Sequence, residues 1–361
     1  MKFAVLAIFL SLSATAIFAD GSLKFVAVLY RHGARSPGFV YPNDPYPETM
    51  WESGLGQLTN PGKNQMYLLG KYMRDRYSNF LPVIYNEKDI QVVSSDISRA
   101  LMSAYACLAG LYPPQGKDVW LPKMDWQPIP VHSLSSCQDN ILYNAKNCSK
   151  HGMLLQKYIT ENFEEVEQDE LQKVLSLAGI PIKIDSLNYN YLLLGLAMYD
   201  CLFVEETYNL TLPEWTVDYY PEPLREIALF TYSSLSATKE MRRLRCGPLL
   251  KEILTHFDGV QQGTLSKKMY QYSAHDQTIV DLLQCLDVYD GELVPFASAV
   301  FLELYETNNV FEVLVSYKKG DVMKELIIPG CNNMVLCPLD VFKGAVSDVI
   351  PDDWEKECES V

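Results

Sequence analysis

The sequence is short of basic residues and lacks an apolar run of membrane-spanning length, although one apolar run stands near its start. Its 361 residues include 30 Lys and Arg against 45 Asp and Glu, which gives a formal net charge of −15 at pH 7. Because proteins bind nucleic acids largely through Lys and Arg contacts to phosphate, this charge balance argues against a nucleic-acid partner. The apolar run, at residues 3–12, is short for a membrane span, and no later run approaches spanning length. We therefore expect no membrane anchor.

The sequence also lacks the signatures of several common catalytic chemistries. It has no Gly-x-Ser-x-Gly elbow, no His-Glu-x-x-His zinc motif and no P-loop. The spacing of Cys and His gives no recognisable zinc site, so we predict neither a metal nor a cofactor. No internal repeat or low-complexity linker divides the chain.

The first residues have the pattern of a secretory signal peptide. Lys2 precedes the apolar run, and small residues follow up to Ala19, after which we expect cleavage; loss of Lys2 changes the net charge from −15 to −16. We therefore expect a protein that is secreted or, alternatively, lies in the lysosomal lumen. Nine cysteines suit such an oxidising compartment, and sequons at Asn147 and Asn209 are candidate glycosylation sites.

Alternating strand and helix patterns predict an α/β domain with a helical insertion. Strands are expected at residues 23–30, 90–94, 126–132, 268–273, 299–305 and 311–317, with a hairpin turn at 307–309. Helices are expected at residues 59–77, 96–111 (capped by Asp96), 156–177, 187–206 and 224–250. We assign 1–19 to the signal peptide, 20–136 and 251–361 to the α/β domain, and 137–250 to the helical insertion.

The most informative stretch is Tyr-Arg-His-Gly-Ala-Arg-Ser-Pro at residues 30–37, which follows the first buried strand. Arg31 and Arg35 flank His32, and guanidinium groups bind tetrahedral oxyanions through paired N–H donors. A neutral imidazole between them can attack phosphorus and hold the phosphoryl group covalently. Gly33 lets backbone approach closely here. This stretch predicts a phosphate pocket with a nucleophile inside it.

Two further segments place polar residues where other strands end. Arg99 falls in the first turn of the helix after strand 90–94, where free N–H groups favour anions. His275 and Asp276 follow strand 268–273. Because ligand sites of open α/β sheets form at strand ends, we expect these residues to converge with His32.

These three blocks, in this order, resemble the histidine acid phosphatases, particularly the prostatic and lysosomal branch with its soluble secreted insect forms. The resemblance covers about residues 23–358. It implies a mixed central sheet flanked by helices, like that of phosphoglycerate mutase, with a smaller helical domain. It also implies an enzyme that hydrolyses phosphate monoesters through a phosphohistidine. The roles implied are His32 as nucleophile, Asp276 as proton donor, and Arg31, Arg35, Arg99 and His275 as ligands of the phosphoryl oxygens.

The resemblance implies disulfides between Cys148 and Cys358 and between Cys331 and Cys337. A bond between Cys201 and Cys246 is a further expectation. The helical patterns around Cys107 and Cys285 favour buried free thiols, and Cys137 stays unassigned.

Other residues are assigned outside the catalytic site. Trp126 and His132 resemble a dimer-contact segment of the family and predict a homodimer, while His151 and His256 are expected to be structural. The basic run at residues 242–245 suggests an anion site, although a solvated helix face is the favoured interpretation.

Three alternatives stay open: a phytase or inositol-phosphate phosphatase, a lysophosphatidate phosphatase, and a non-catalytic secreted homologue. A phytase is expected to have a more basic pocket, and a non-catalytic homologue a broken one. We favour a broad-specificity phosphomonoesterase acting on small molecules or phosphoproteins.

Overall fold

A mixed β-sheet forms the centre of the molecule. The computed structural model describes residues 21–144, 146–180 and 188–359, so the predicted signal peptide lies outside the described residues. The strands are β1 (Ser22–Arg31), β2 (Ile90–Ser95), β3 (His132–Leu134), β4 (Met269–Ala274), β5 (Ala299–Thr307), β6 (Val310–Lys319), β7 (Val322–Leu326) and β8 (Leu336–Pro338). Their order is β3-β2-β4-β1-β5-β6-β7, with β8 paired to β6. Strands β1 to β4 run parallel, and β5 to β8 add antiparallel pairs.

Helices cover both faces of this sheet and form a separate group between β3 and β4. They are α1 (Asn60–Arg76), α2 (Ser98–Leu111), α3 (Ser149–Asn162), α4 (Glu165–Leu177), α5 (Tyr189–Thr207), α6 (Leu224–Ser234), α7 (Lys239–Arg245), α8 (Gly247–Gln261), α9 (Asp276–Cys285), α10 (Leu339–Val346) and α11 (Trp354–Cys358). This arrangement confirms the predicted α/β class with a mixed sheet flanked by helices.

Strand β1 shows why the sheet is central. Its side chains point alternately to opposite faces, and both sets are apolar. Phe25, Ala27 and Leu29 join a cluster that includes residues of α8, α9 and α10. Val26 and Val28 join a second cluster with residues of α1 and α2. A strand that is buried on both faces has a continuous apolar run in its sequence, as β1 does.

A third apolar cluster belongs mainly to helices α3 to α7. It extends from Leu155 to Met241 and also takes in Tyr41 from the loop after β1. The division of the chain at residues 136/137 and 250/251 stays a prediction, although most of this cluster falls inside the predicted insertion.

Local signals predicted several element ends well. Helix α1 begins after Thr59, whose side chain accepts a hydrogen bond from the Gly62 N–H, and Pro61 occupies its first turn. The hairpin between β5 and β6 turns at Asn308 and Asn309, whose φ angles are +51° and +66°. Asn tolerates this left-handed region, so the predicted turn is confirmed.

Other predicted elements were wrong in extent. Most of the strand expected at 126–132 is irregular, because Pro128 and Pro130 lack the N–H groups that a ladder needs, and only His132–Leu134 pairs with β2. The cap of α2 is Ile97 rather than Asp96. The helix expected at 156–177 is interrupted at Phe163, and that expected at 224–250 is three helices.

The described residues contain three disulfides. Cys148 is bonded to Cys358 and Cys331 to Cys337, which are pairs that the resemblance implied. The third bond joins Cys246 to Cys285. The expected pairing of Cys201 with Cys246 was therefore wrong, and so was the expectation that Cys285 is a free thiol. Helices α7–α8 and α9 bring their ends together here, which a sequence reading of separate helices cannot reveal.

Cys201 instead belongs to a buried acidic group on α5. Its thiol donates to Glu205 Oε1 at 3.4 Å and lies 3.6 Å from Asp44 Oδ2. Burial, together with the nearby Asp44 carboxylate, raises the pKa of Glu205 to about 8. Cys107 is a buried free thiol, and Cys137 is free and exposed.

The arginines of helix α7 pair with carboxylates of neighbouring elements, so the expectation of a solvated face was wrong. Arg243 binds Glu357 and Asp352 near the end of the chain, and Arg245 binds the buried carboxylate of Asp281 on α9. The run therefore ties α7 to neighbouring elements. Across the described ranges, no helix is both long enough and apolar enough to cross a bilayer.

Candidate active site

The polar residues predicted from three segments meet where parallel strands end. Strand β1 ends at Arg31, which lies opposite Ala274, the last residue of β4. Strand β2, on the other side of β4, ends at Ser95. The residues that follow these strands therefore lie at one edge of the sheet.

The loop after β1 is held by unusually close backbone packing. A Cβ on Gly33 would lie 2.2 Å from the carbonyl oxygen of Gly62 in α1, so no larger residue fits. The Gly33 N–H donates to Ser103 Oγ of α2, and the Ala34 N–H donates to Gln65 Oε1 of α1. Two helices thus fix the loop that carries His32.

His32 is buried, and its tautomer follows from its two partners. Its Nδ1 lies 2.9 Å from the Gly33 carbonyl oxygen, and the Arg99 Nε–H donates to its Nε2 at 3.0 Å. A carbonyl can only accept and a guanidinium only donates, so Nδ1 carries the proton and Nε2 is unprotonated, with its lone pair accepting from Arg99. Burial, followed by the charges of Arg31 and Arg99, lowers the pKa of His32 well below its ordinary value. The ring is therefore neutral even in mild acid.

Arg31 and Asp276 form a buried ion pair. Arg31 Nη2 lies 2.7 Å from Asp276 Oδ2, and Nη1 donates to the Val294 carbonyl. The guanidinium also lies 4.0 Å from the ring centre of Phe296, a cation–π contact. Burial raises the pKa of Asp276, but the charges of Arg31 and Arg35 outweigh it and lower that pKa to about 2. Without substrate, Asp276 is a carboxylate.

Arg35 is paired with a residue of the helical group. Its two terminal nitrogens donate to Asp200 of α5 at 2.8 and 2.9 Å, a two-pronged arrangement. Arg99 reaches the same region from the first turn of α2. Burial, with repulsion from Arg35, lowers the pKa of Arg99. Three arginines are thus gathered around one imidazole.

His275 completes the polar cluster. Its Nε2 lies 2.8 Å from Ser95 Oγ at the end of β2, and its ring centre lies 5.5 Å from that of His32. Burial and the charge of Arg99 lower the pKa of His275 to about 3. As a neutral ring it can bind phosphoryl oxygen only by a hydrogen bond.

A small, mostly apolar cavity opens beside Arg31. Its volume is about 170 Å³, and helix α5 forms one wall with Leu196, Tyr199, Asp200 and Phe203. The segment before β5 also lines the cavity, and it includes Val294. A phosphate on the arginines could therefore carry an apolar organic group into this cavity.

The six predicted site residues all lie in this cluster: Arg31, His32, Arg35, Arg99, His275 and Asp276. The other histidines lie elsewhere. His132 lies on the exposed edge strand β3, His151 contacts the Leu235 carbonyl, and the ring of His256 stacks on Tyr270.

Sequence reasoning missed Asp200, Phe296 and Ser95. No local signal marks Asp200, which lies within an apolar helical pattern 165 residues from Arg35. Across the described ranges, the side chains spaced to hold a metal ion are those of Asp44, Cys201 and Glu205, none of which belongs to the six.

Comparisons with known proteins identify a family for this chain. The sequence model described as histidine phosphatase superfamily (branch 2) matches residues 38–317. Prostatic acid phosphatase of Bos taurus is 39% identical over 93% of this chain and 87% of its own length. Lysosomal acid phosphatase of Rattus norvegicus is 36% identical over 94% of this chain and 80% of its own length.

The fold is also found in solved bacterial structures. The phytase of Citrobacter braakii superposes with a TM-score of 0.68 at 18% identity, covering 94% of this chain and 100% of the phytase. A Hafnia alvei phytase in complex with tartrate gives 0.68 at 19% identity, covering 95% and 100%. At such low identity these structures establish a common fold and no more.

Proposed function

This chain belongs to branch 2 of the histidine phosphatase superfamily and is an acid phosphatase of that family, and from this premise we propose a mechanism on its own residues. Phosphate monoesters are hydrolysed in two steps through a phosphohistidine on His32. The observation that carries the proposal is the unprotonated Nε2 of His32, which accepts from Arg99 while Nδ1–H is held by the Gly33 carbonyl.

In the first step, Arg99 donates to a phosphoryl oxygen instead of to His32 Nε2, and Nε2 attacks phosphorus while the ester P–O bond breaks. The phosphoryl oxygens lie among Arg31, Arg35 and Arg99, which stabilise the charge of the transition state. The resulting phosphoimidazolium is cationic, and its Nδ1–H stays bonded to the Gly33 carbonyl. Asp276, which takes up a proton when the phosphate dianion binds beside it, gives that proton to the leaving alkoxide, so the alcohol departs neutral.

In the second step, water attacks the phosphohistidine. Asp276, now a carboxylate, accepts a proton from that water, the P–N bond breaks and inorganic phosphate forms. His32 returns to its neutral state with Nε2 free. The low pKa of His32 supports this cycle, because a protonated imidazole could not attack, and acidic surroundings would otherwise disable it.

Trapping the intermediate tests the nucleophile. After rapid mixing with a 32P-labelled monoester and quenching in base, the label is expected on the peptide that contains His32. His32→Ala should fold, as judged by thermal unfolding, and lose both label and turnover. His256→Gln is the matched control, because this histidine lies on α8 and stacks on Tyr270 of β4, outside the cluster. Near-normal turnover in His32→Ala would refute the mechanism.

We propose a broad range of monoesters, from small molecules to phosphoproteins. The intact cluster supports an enzyme rather than a non-catalytic homologue. The apolar cavity walls of Leu196, Tyr199 and Phe203 support substrates with apolar organic groups, a lysophosphatidate among them. A panel of such esters measured at several pH values tests this range.

We also propose a homodimer that forms through Trp126 and His132. Trp126 is 38% exposed beside the more exposed Trp120, and all three residues of edge strand β3 are exposed. An exposed strand edge with aromatic neighbours favours association with a second copy. Sedimentation should give twice the monomer mass, and Trp126→Glu should give the monomer mass; a monomeric wild-type protein would refute the dimer.

We further propose secretion, or delivery to the lysosomal lumen, after cleavage following Ala19. Asn147 and Asn209 are both exposed, which supports glycosylation at their sequons. Mass spectrometry of the protein from a eukaryotic secretion host should give Asp20 as the first residue. Endoglycosidase treatment should remove mass at both asparagines.

A further inference from the structure

Arg35 enters the phosphate site already paired with a carboxylate. Both Asp200 oxygens accept from it, and the Gly38 N–H donates to Asp200 Oδ2 at 3.4 Å. The side chains of Arg35 and Asp200 are 11% and 17% exposed, and Asp200 also lines the cavity beside Arg31. Asp200 therefore belongs to the electrostatics of the site, although it comes from a distant helix.

We infer that Asp200 determines substrate selectivity, because its carboxylate admits one phosphate and repels a second one on the same substrate. This inference rests on the proposed phosphatase function and deepens it. Asp200 would thereby favour simple monoesters with neutral or apolar organic groups over bisphosphates and inositol polyphosphates.

The charges around the site support this selectivity. Arg31, Arg35 and Arg99 contribute three positive charges, and Asp200 and Asp276 contribute two negative ones. With Asp276 protonated for catalysis, the sum becomes +2, which matches one phosphate dianion. These five residues leave no further positive charge to compensate a second phosphate on the substrate.

The next arginine along the site is also neutralised. Arg245 lines a cavity next to Arg99, but its Nε and Nη2 donate to the buried Asp281 at 3.2 and 3.0 Å. It is therefore a weak partner for a second phosphate.

The walls around Asp200 make its charge more effective. Leu196, Tyr199 and Phe203 of helix α5 line the same cavity as Asp200, and Val294 lines it too. An organic group that enters this cavity carries any second phosphate past the Asp200 carboxylate. At about 6 Å and an effective dielectric constant of about 20, one pair of like charges changes binding by about 100-fold.

The alternative is that Asp200 only holds Arg35 in place. Asp200→Asn separates the two roles, because an amide oxygen still accepts from Arg35 while the negative charge is lost. If Asp200 only positions Arg35, the variant should have a lower kcat/KM for all substrates by a similar factor. If Asp200 repels a second phosphate, the variant should have a higher kcat/KM for multiply phosphorylated substrates relative to monoesters.

The experiment compares phenyl phosphate with hydroquinone bisphosphate, which differ by one phosphate, and adds inositol hexakisphosphate. For Asp200→Asn, the ratio of kcat/KM for the bisphosphate to that for phenyl phosphate should rise about 10- to 100-fold. Asp200→Glu keeps the charge and should keep the wild-type ratio. Asp348→Asn, which removes an exposed partner of Lys239, is the control.

The wild-type enzyme supplies an independent readout. Its preference for phenyl phosphate should weaken as salt rises from 20 to 500 mM, because screening reduces repulsion of the second phosphate. This test holds even if Asp200→Asn does not fold. An unchanged substrate ratio in a folded Asp200→Asn, or a wild-type preference that does not respond to salt, would overturn the inference. A wild-type enzyme that hydrolyses none of the esters would instead overturn the proposed function.

Discussion

Replacing Asp276 by Asn gives the sharpest test of the proposed chemistry, because this residue must change its protonation state. In the free site it is 2.7 Å from Arg31, and its pKa is about 2. At pH 5 a group with that pKa is protonated in about one molecule in a thousand. A general acid with so little proton would add about 4 kcal/mol to the barrier.

Substrate binding should raise the pKa of Asp276 and so lower this barrier. A phosphate dianion about 4 Å from the Asp276 carboxylate repels it by about 4 kcal/mol per charge at an effective dielectric constant of about 20. Since 1.36 kcal/mol corresponds to one pKa unit, half of the summed repulsion by both phosphate charges raises the pKa of Asp276 by about three, into the mildly acidic range. The kcat of an alkyl ester should therefore fall as pH rises through the pKa of the complex, with a midpoint of about 5–6.

The assay is the single-turnover rate of phosphoenzyme formation with two esters. An alkyl phosphate leaves as a basic alkoxide, so Asp276→Asn should slow it about 10²- to 10⁴-fold and remove the alkaline limb of its profile. Nitrophenyl phosphate leaves as a stable phenolate and should slow far less. Single turnover is needed because Asp276 also serves the water step.

The exposed Asp348→Asn variant controls for the loss of an aspartate and should match wild type with both esters. An equal loss with the two esters in Asp276→Asn would refute the acid role. Asp276 would then act only by orienting Arg31.

Three further predictions follow from other parts of the molecule. The pKa of Glu205 is raised to about 8 in the folded protein, so its contribution to the free energy of unfolding is complete below about pH 4.5 and is lost as pH rises through 8. The melting temperature should therefore fall over this window, and it should fall less in Glu205→Gln. Gly33→Ala should lower the free energy of unfolding in urea by about 1–3 kcal/mol, because the new Cβ clashes with a backbone carbonyl. Gly152→Ala is the control: the space around Gly152 is open, so this change should not destabilise the fold. Replacing Cys148 and Cys358 by Ser should lower the free energy of unfolding by about 2–5 kcal/mol, and an unchanged value would contradict a bond between them.

Much of the fold was encoded in short stretches of sequence. The apolar run of β1, the Thr59 cap of α1 and the paired asparagines of the β5–β6 turn each act through backbone geometry within a few residues. Such signals can be interpreted without tertiary structure. The strand expected at 126–132 failed because two prolines outweighed its apolar pattern, and the long helix at 156–177 was interrupted at Phe163.

The candidate site divides in the same way. The sequence alone identified His32 and its arginines, because the chemistry of phosphate binding requires these residue types beside one another at the end of a strand. It also indicated that Arg99 and His275 would join them, because parallel strands end at one edge of a sheet. It could not assign the tautomer of His32, which depends on partners on two elements.

Only the tertiary structure decided which distant groups meet. Cys246 bonds to Cys285 rather than to Cys201, and Asp200 reaches Arg35 across 165 residues. Neither contact leaves a trace in its local pattern, since a helix records which face is apolar but not which helix packs against it. The physical reason is that burial and charge pairing depend on positions in space, whereas strand and helix patterns depend on neighbours along the chain.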